Sequence, residues 1–294
     1  MKLLLLLTAA VLTLNFDPTA GQTPRPDPTL KPLSLRFGVY QTDKATVMYK
    51  RFTPFLETLQ EDVEKRLSRP CDIELTIFKS YDEGIDALTK GSVDFVHFGP
   101  ASYVTAKERN AEIRLVAIEH ENGEKFSEGV IVVAKASPIQ TIEELRGKKF
   151  AFGDKNSTIG RYLVQAELVA HGIHAQDLAE YKYLDRHDLV ASAVEYGDFD
   201  AGSVKYSTYK KANEKNTLRA LATFKNVTKP IVARAGLDSV VFTAIQDSLF
   251  AYKDEAFFKD VKISGFTVAD DADFKLVRDG MKKANRFEQS AQKQ

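Results

Sequence analysis

Hydrophobic positions along the chain switch between two periods from Leu33 onward. Leu35, Phe37 and Val39 alternate with more polar residues or glycine, which predicts a β-strand. The apolar residues of 52–67 recur at three- and four-residue spacings and predict the buried face of a long helix. Later segments repeat this change of period, which is typical of strands that alternate with helices.

Three strand–helix repeats occur in the first part of the chain. Strands are predicted at 73–78, 93–98 and 113–118, with helices at 81–90 and from about residue 101. Repeated strand–helix units favour a parallel sheet with right-handed crossovers.

A second α/β set follows a β-branched run at 129–135. Residues 141–144 have the spacing of a capping box and predict a helix that ends at Gly147. The further predicted elements are strands at 149–152, 181–184, 199–204 and 218–224, an extended run at 227–233, and helices at 157–171, 187–196 and 238–250. The fold class is therefore α/β with two lobes, and a ligand cleft is expected at the carboxyl ends of the strands.

The first 32 residues follow neither pattern. An apolar run of about 12 residues after Lys2 is too short to span a bilayer, which takes about 20, and has the length of a signal-peptide core. We expect residues 1–20 to be a signal peptide for export and the proline-rich 21–32 to be a tether. Cys71 is the sole cysteine, so we expect neither an internal disulfide nor a lipid anchor.

Composition narrows the function classes. Apolar residues make up 44% and charged residues 28% of the chain, which excludes a collagen-like, disordered or multi-span membrane protein. With 41 basic and 41 acidic residues, no overall field attracts nucleic acid or an anionic membrane. Any bound anion must therefore be held by local geometry.

The segment 150–161 carries the main chemical signal. A strand ends there, a polar turn containing Asn156 follows, and a helix begins at Ser157 and Thr158. The first N–H groups of a helix lack intrahelical partners and carry partial positive charge, so this junction is a candidate anion site. The alternative is that Asn156 or Ser157 only caps the helix. The glycines are seven residues apart and do not flank Ser157, which excludes a Walker loop and a nucleophile elbow.

Three motifs extend this signal: FGPASY at 98–103, FGDKNSTIGRY at 152–162 and DRHDLVASAVEYGDFDAG at 185–202. Together with the stretches LRFGVY and KPIVARAGLD, they make the chain similar to the periplasmic phosphate-, phosphonate- and phosphite-binding proteins of ABC importers. The resemblance implies a two-lobed, type II periplasmic-binding-protein fold with the ligand between the lobes. It also implies capture of a small phosphorus oxyanion for an ABC permease, in the periplasm, with no cofactor and no catalytic residue.

The resemblance also assigns roles to residues. In that family the oxygens are held by a Ser-Thr pair that matches Ser157 and Thr158, and by a histidine that matches His187. Aromatic side chains that match Tyr81 and Phe98 line the pocket. The other histidines lack zinc-ligand spacing, so no metal site is expected.

Positions where this sequence differs from some family members indicate which ligand it binds. Members that take aminoethylphosphonate present carboxylates to its ammonium group, and the corresponding segments here contain Ser207 and Lys229. We therefore expect phosphate, phosphite or a small alkylphosphonate rather than a zwitterion. Lys205 and Lys229 either face the anion or lie at the surface.

The sequence also leads to expectations about the limits of the lobes, and it leaves two alternative functions open. We expect lobe 1 at 33–129 plus 226–294, lobe 2 at 130–225, hinges near 129–134 and 225–232, and a monomer peripheral to the membrane. The same domain is also compatible with a sensor that presents its liganded state to a histidine kinase. A secreted serine hydrolase or phosphatase using Ser157 and His187 is a further alternative, but it requires a strained elbow and an acid behind the histidine.

Overall fold

The structure is a computed structural model that describes residues 27, 29–42 and 44–289. The predicted signal peptide at 1–20 and most of the predicted tether lie outside the described residues. Within the described ranges, no helix combines the length and apolar character needed to cross a membrane.

The first sheet has six strands in the described part of the chain. They are β1 (Leu33–Tyr40), β2 (Cys71–Phe78), β3 (Phe95–His97), β4 (Arg114–His120), β10 (Pro230–Ala233) and β11 (Gly265–Thr267). Their order is β11-β4-β10-β3-β1-β2. β1 is parallel to β2 and β3, as predicted, but β10 lies antiparallel between β3 and β4. The sheet is therefore mixed rather than parallel.

Among the described helices, α1 (Ala45–Leu67), α2 (Tyr81–Thr89), α3 (Pro100–Arg109), α7 (Ser239–Ala251) and α8 (Glu255–Val261) pack on this sheet. The predicted apolar face of α1 is buried, with Phe52, Phe55 and Val63 packed in the core beneath the sheet. Apolar clusters cover both faces of the sheet, which leaves its strand ends as the place for polar chemistry.

The described residues form five strands in the second sheet: β5 (Phe126–Ala134), β6 (Lys149–Phe152), β7 (Glu180–Tyr183), β8 (Ala201–Lys205) and β9 (Leu218–Val227). Their order is β7-β6-β8-β5-β9, with β6 parallel to β7 and β8. A π-helical segment, Thr158–Leu163, continues as α4 (Val164–Ala170), and α5 (His187–Glu195) and α6 (Tyr206–Ala212) complete the lobe. The two sheets confirm the α/β class.

The helix predicted from 141–144 is wrong. Only a 3-10 turn forms, at Glu143–Leu145, and Gly147 follows in the left-handed region at φ +70°. The Glu144 carboxylate accepts a hydrogen bond from the backbone N–H of Gln140, so it does not complete the predicted capping box.

The chain crosses between the two sheets twice. β4 leads to β5 through 121–125, and β9 leads to β10 through 228–229. The first crossing comes before residues 129–134, where a hinge was predicted. That hinge position is wrong, because residues 129–134 pair with β8 and β9 inside the second sheet. The second crossing lies within the predicted 225–232, and the predicted lobe limits remain a prediction.

The C-terminal helix α9 (Lys275–Ala284) packs against both lobes. Val277 belongs to the apolar cluster of the first sheet, whereas Phe287 lies in the cluster of the second sheet, 5.4 Å from the Phe152 ring. At Gly280 an added Cβ would lie 2.4 Å from Leu163, so the helix rests directly on the π-helical segment.

Candidate functional site

A cavity of about 480 Å³ lies between the two sheets, at the ends of the strands. Five helical segments begin at a residue that lines it: Tyr81, Pro100, Thr158, His187 and Tyr206. A helix start carries a partial positive charge and N–H groups without intrahelical acceptors, although Pro100 has no N–H and the N–H of Ala101 already donates to Thr158. The convergence of these helix starts makes the cavity suited to an anion.

A close contact between two glycines places the central helix start. The N–H of Gly153 donates to the carbonyl of Gly160 at 2.8 Å, directly after β6 ends. A Cβ on Gly160 would lie 2.8 Å from the Cα of Gly153, so neither position has room for a side chain. Gly153 and Gly160, seven residues apart in the sequence, therefore let the helix start pack directly against the end of the strand.

Ser157 and Thr158 line the cavity at this helix start and are 4% and 6% exposed. The Ser157 Oγ accepts a hydrogen bond from the N–H of Gly160 at 2.9 Å, and the Thr158 Oγ1 accepts one from the N–H of Ala101 at 2.9 Å. Because each oxygen already accepts, each hydroxyl retains a hydrogen that it can donate. Ser157 is thus both the cap and a cavity residue, so the two interpretations of the sequence are compatible.

Two residues predicted for the site do not reach the cavity. Asn156 directs its side-chain N–H to a carboxylate oxygen of Asp82, at 3.1 Å, and its backbone N–H to Asp154. Phe98 is 1% exposed and packs behind Tyr40, with ring centroids 6.0 Å apart. Asn156 thus joins the two lobes beside the cavity and Phe98 is buried in the core, and a contact of either residue with the ligand stays a prediction.

Stacked tyrosines form one wall of the cavity. The rings of Tyr40 and Tyr81 are 3.9 Å apart, and Tyr40 also accepts a hydrogen bond from the N–H of Gly99. Burial raises the pKa of Tyr40 to about 12 and that of Tyr81 well above its ordinary value, so both phenols stay protonated donors. Tyr81 was predicted and Tyr40 was missed, although the rule that ligands bind at strand ends applies to its position at the end of β1.

His187 lines the cavity at the start of α5. Burial and the nearby Lys205 lower its pKa to about 3, while a hydrogen bond with the Ser203 backbone opposes them. The imidazole is therefore neutral at physiological pH. Its Nδ1 is buried without a hydrogen-bond partner among the described residues.

Lys205 and Lys229 both line the cavity. Of the two alternatives given for these lysines, the position at the cavity therefore holds. The same wall contains Glu119, a residue that the sequence analysis did not select. Its Oε1 lies 2.7 Å from the Nε2 of His97. Glu119 comes from the end of β4 rather than from the segments compared with the family, which contain Ser207 and Lys229 as stated above. An acid within the apolar run of that strand was the available signal.

Among the described residues, two buried polar atoms without a partner lie at the cavity. Within the described ranges, four buried side-chain nitrogen or oxygen atoms have no hydrogen-bond partner: Thr53 Oγ1, Arg161 Nε, His187 Nδ1 and Asn226 Oδ1. His187 and Asn226 line the cavity. Buried polar atoms are normally paired, so these two atoms are candidates for contact with a ligand. No group of three His, Cys, Asp or Glu side chains in the described ranges is placed to hold a metal ion.

The sequence matches a family model over residues 37–274. That family is described as the periplasmic substrate-binding protein of phosphonate ABC transporters. The match covers most of the chain, including both sheets and the whole cavity.

Two curated relatives agree with this match. A probable phosphite-binding protein of an ABC transporter from Prochlorococcus marinus strain MIT 9301 is 26% identical over 198 residues, which are 64% of this chain and 63% of the relative. A phosphate-import protein from Mycolicibacterium smegmatis is 23% identical over 181 residues, 58% of this chain and 54% of the relative. The matched parts span less than two thirds of either relative.

Solved structures share the fold. The methylphosphonate complex of PhnD1 from Prochlorococcus marinus superposes with a TM-score of 0.73 at 20% identity, over 87% of this chain and 100% of that one. A binding-protein component of a phosphonate ABC transporter from Pseudomonas aeruginosa gives a TM-score of 0.74 at 18% identity, over 87% and 88%. These likenesses show the two-lobed periplasmic-binding-protein fold.

Proposed function

Because the chain belongs to the family of periplasmic substrate-binding proteins of phosphonate ABC transporters, we propose that it captures a small phosphorus oxyanion for import. The observation that carries the proposal is the convergence of five helix starts on one cavity. Phosphate, phosphite and small alkylphosphonates are the ligand class. Two relatives named for phosphite and phosphate, and a methylphosphonate complex with the same fold, support this class.

Neutral donors hold the oxygens in this proposal. Ser157 and Thr158 donate their remaining hydroxyl hydrogens, and the helix start supplies backbone N–H groups. Tyr81 donates its phenolic hydrogen. His187 presents its unpaired Nδ1 to the ligand; because the N–H of the neutral ring bonds the Ser203 backbone, this nitrogen accepts a hydrogen from a P–OH group, and Lys205 contributes positive charge. Because removing an anion from water is costly, each buried oxygen needs such a partner.

The lobes are proposed to close over the ligand, so that donors from both sheets replace its water. Thr158, from the second lobe, already bonds the start of α3 in the first lobe. The closed form would then be recognised by a membrane permease. Export by the signal peptide and a monomeric state belong to the same proposal.

The geometry does not favour the hydrolase alternative. Ser157 begins a helix as its cap, and no carboxylate in the described part of the chain is hydrogen-bonded to His187. A Ser-His pair needs that acid to orient the imidazole. A kinase-linked sensor would use the same binding step, and no feature of the cavity favours it over import.

Calorimetry and thermal melting with a panel of oxyanions test the proposal. The panel contains phosphate, phosphite, hypophosphite and methylphosphonate, with sulfate and methanesulfonate as matched sulfur compounds. We expect at least one phosphorus oxyanion to bind, and a ligand at 1,000 times its Kd to stabilise the fold by about 4 kcal/mol. Absence of binding by every phosphorus compound, in a protein that melts cooperatively, would refute the proposal.

A further inference from the structure

The charged side chains of the cavity fall into two groups. Four are solvent-exposed at its mouth: Glu121, Glu128, Lys210 and Lys262. Their fields are weakened by water and salt. The inner group consists of Lys205, Lys229 and Glu119, all at least half-buried. These three decide which charges a ligand can bring into the cavity.

Both carboxylate oxygens of Glu119 already have a partner in the protein. One carboxylate oxygen lies 2.7 Å from the Nε2 of His97, and the other accepts the backbone N–H of Lys229 at 3.4 Å. Burial raises the pKa of Glu119, but His97 and Lys229 outweigh this and hold it below its ordinary value. The carboxylate is therefore charged and already engaged.

Lys229 is placed differently. It lines the cavity, and among the described residues no carboxylate oxygen lies within 4.0 Å of its ammonium group. Burial lowers the pKa of Lys229. The negative charge of the Glu119 carboxylate acts in the opposite direction and favours the ammonium form. A half-buried cation without a close counter-ion is stabilised by an anion and opposes a second cation.

We propose that Lys229 determines specificity by selecting the charge of the ligand's substituent: the cavity accepts phosphonates whose substituent is neutral or anionic and rejects those that carry an ammonium group. This inference rests on the proposed function. It adds a residue at the inner wall that is separate from Ser157, Thr158 and His187. A volume of about 480 Å³ leaves room for a substituent beside the phosphonate group.

Three phosphonates of similar length test the inference by calorimetry. They are 2-aminoethylphosphonate, propylphosphonate and 3-phosphonopropionate, with cationic, neutral and anionic substituents. We expect the wild-type protein to bind 3-phosphonopropionate at least about tenfold more tightly than 2-aminoethylphosphonate, with propylphosphonate between them. This comparison needs no variant, so it holds even if Lys229 is required for folding.

Variants at Lys229 assign the effect to this residue. Lys229→Gln should bring the three affinities close together, and Lys229→Glu should reverse the order of the charged pair. Lys211→Gln and Lys211→Glu make the same charge changes on an exposed residue of α6 outside the cavity, and they should keep the wild-type order.

The outcomes separate the two proposals. If methylphosphonate and phosphite bind but the wild-type protein prefers 2-aminoethylphosphonate, the inference is wrong and the proposed function stands. An unchanged order in a folded Lys229→Glu protein also overturns it. If no phosphorus compound binds, the proposed function and the inference fail together.

Discussion

At the scale of single residues, one side chain often has a structural and a binding role at the same time. Ser157 caps its helix through its oxygen and also lines the cavity. Sequence spacing alone poses these roles as alternatives, because it does not show which way a hydroxyl points. Spacing and family resemblance did select Ser157, Thr158, His187, Tyr81 and Lys205, which all line the cavity.

Ser157→Ala is expected to affect binding and stability separately. Loss of a hydrogen bond to a charged ligand costs about 1.5–3 kcal/mol, which weakens binding roughly 10- to 150-fold. Loss of the cap lowers the free energy of unfolding by about 1 kcal/mol. Calorimetry and melting of the ligand-free protein measure the two effects.

Asp238→Ala is the matched control for that variant. Asp238 caps α7 by accepting from the N–H groups of Val240 and Val241, away from the cavity. It should lose similar stability and keep full affinity. If Ser157→Ala also kept full affinity, the hydroxyl would have no contact with the ligand.

His187 predicts a pH dependence of stability. Its pKa is about 3 in the folded protein against an ordinary value of 6.5, so the unfolded chain binds the extra proton between these values. The contribution is complete above pH 6.5 and decreases as the pH falls towards 3. The difference in melting temperature between wild type and His187→Gln should therefore change steadily from pH 7 to pH 4, with wild type losing more.

Tyr206→Phe controls for a change in the cavity wall, because it alters a lining residue and leaves His187 in place. Its melting temperature should parallel that of wild type across the same range. Parallel curves for His187→Gln as well would show that His187 is not held neutral by the fold.

At the scale of elements, the periodic pattern located most strands and helices, and β6 matches its predicted limits. It did not predict the π-helical turns that begin the binding segment. These turns follow from a tertiary contact, since Gly153 and Gly160 approach to backbone distance and the N–H of Tyr162 reaches back to the carbonyl of Ser157. Hydrophobic periodicity does not reveal such a contact, because it is read from apolar side chains and neither glycine has one.

Gly160→Ala is expected to disturb this element. Its Cβ would lie 2.8 Å from the Cα of Gly153 and 3.0 Å from the Ser157 Oγ, so the helix start must move away from the strand. Overpacking of this kind costs about 1–3 kcal/mol. The displaced hydroxyl should also weaken ligand binding by about tenfold or more.

In Gly153→Ala the added Cβ would lie 3.0 Å from the Cα of Gly160. This variant should therefore show a similar but smaller effect. Lys155→Ala, at an exposed position in the intervening turn, should leave melting and affinity close to wild type. Wild-type affinity in both glycine variants would mean that the close contact does not position the binding residues.

At the scale of the whole molecule, the decisive features join residues that are distant in the sequence. β10 enters the first sheet between β3 and β4, and this brings Lys229 beside Glu119. α9 packs on both lobes, although the predicted limits assign it to one. No local pattern encodes strand order, so the acid in the apolar run of β4 could be noticed in the sequence but not placed beside Lys229.

The contact between Asn156 and Asp82 predicts an effect on closure rather than on chemistry. It joins the turn after β6 in one lobe to the first turn of α2 in the other, at 3.1 Å, and neither residue lines the cavity. An exposed hydrogen bond contributes about 0.5–1.5 kcal/mol, so Asn156→Ala should raise the ligand dissociation rate about two- to tenfold. The association rate should be unchanged, because open lobes do not make this contact. Stopped-flow measurements with Lys155→Ala as the control decide the matter: an unchanged dissociation rate would show that the contact does not hold the lobes, and a loss as large as that of Ser157→Ala would restore Asn156 as a direct ligand of the anion.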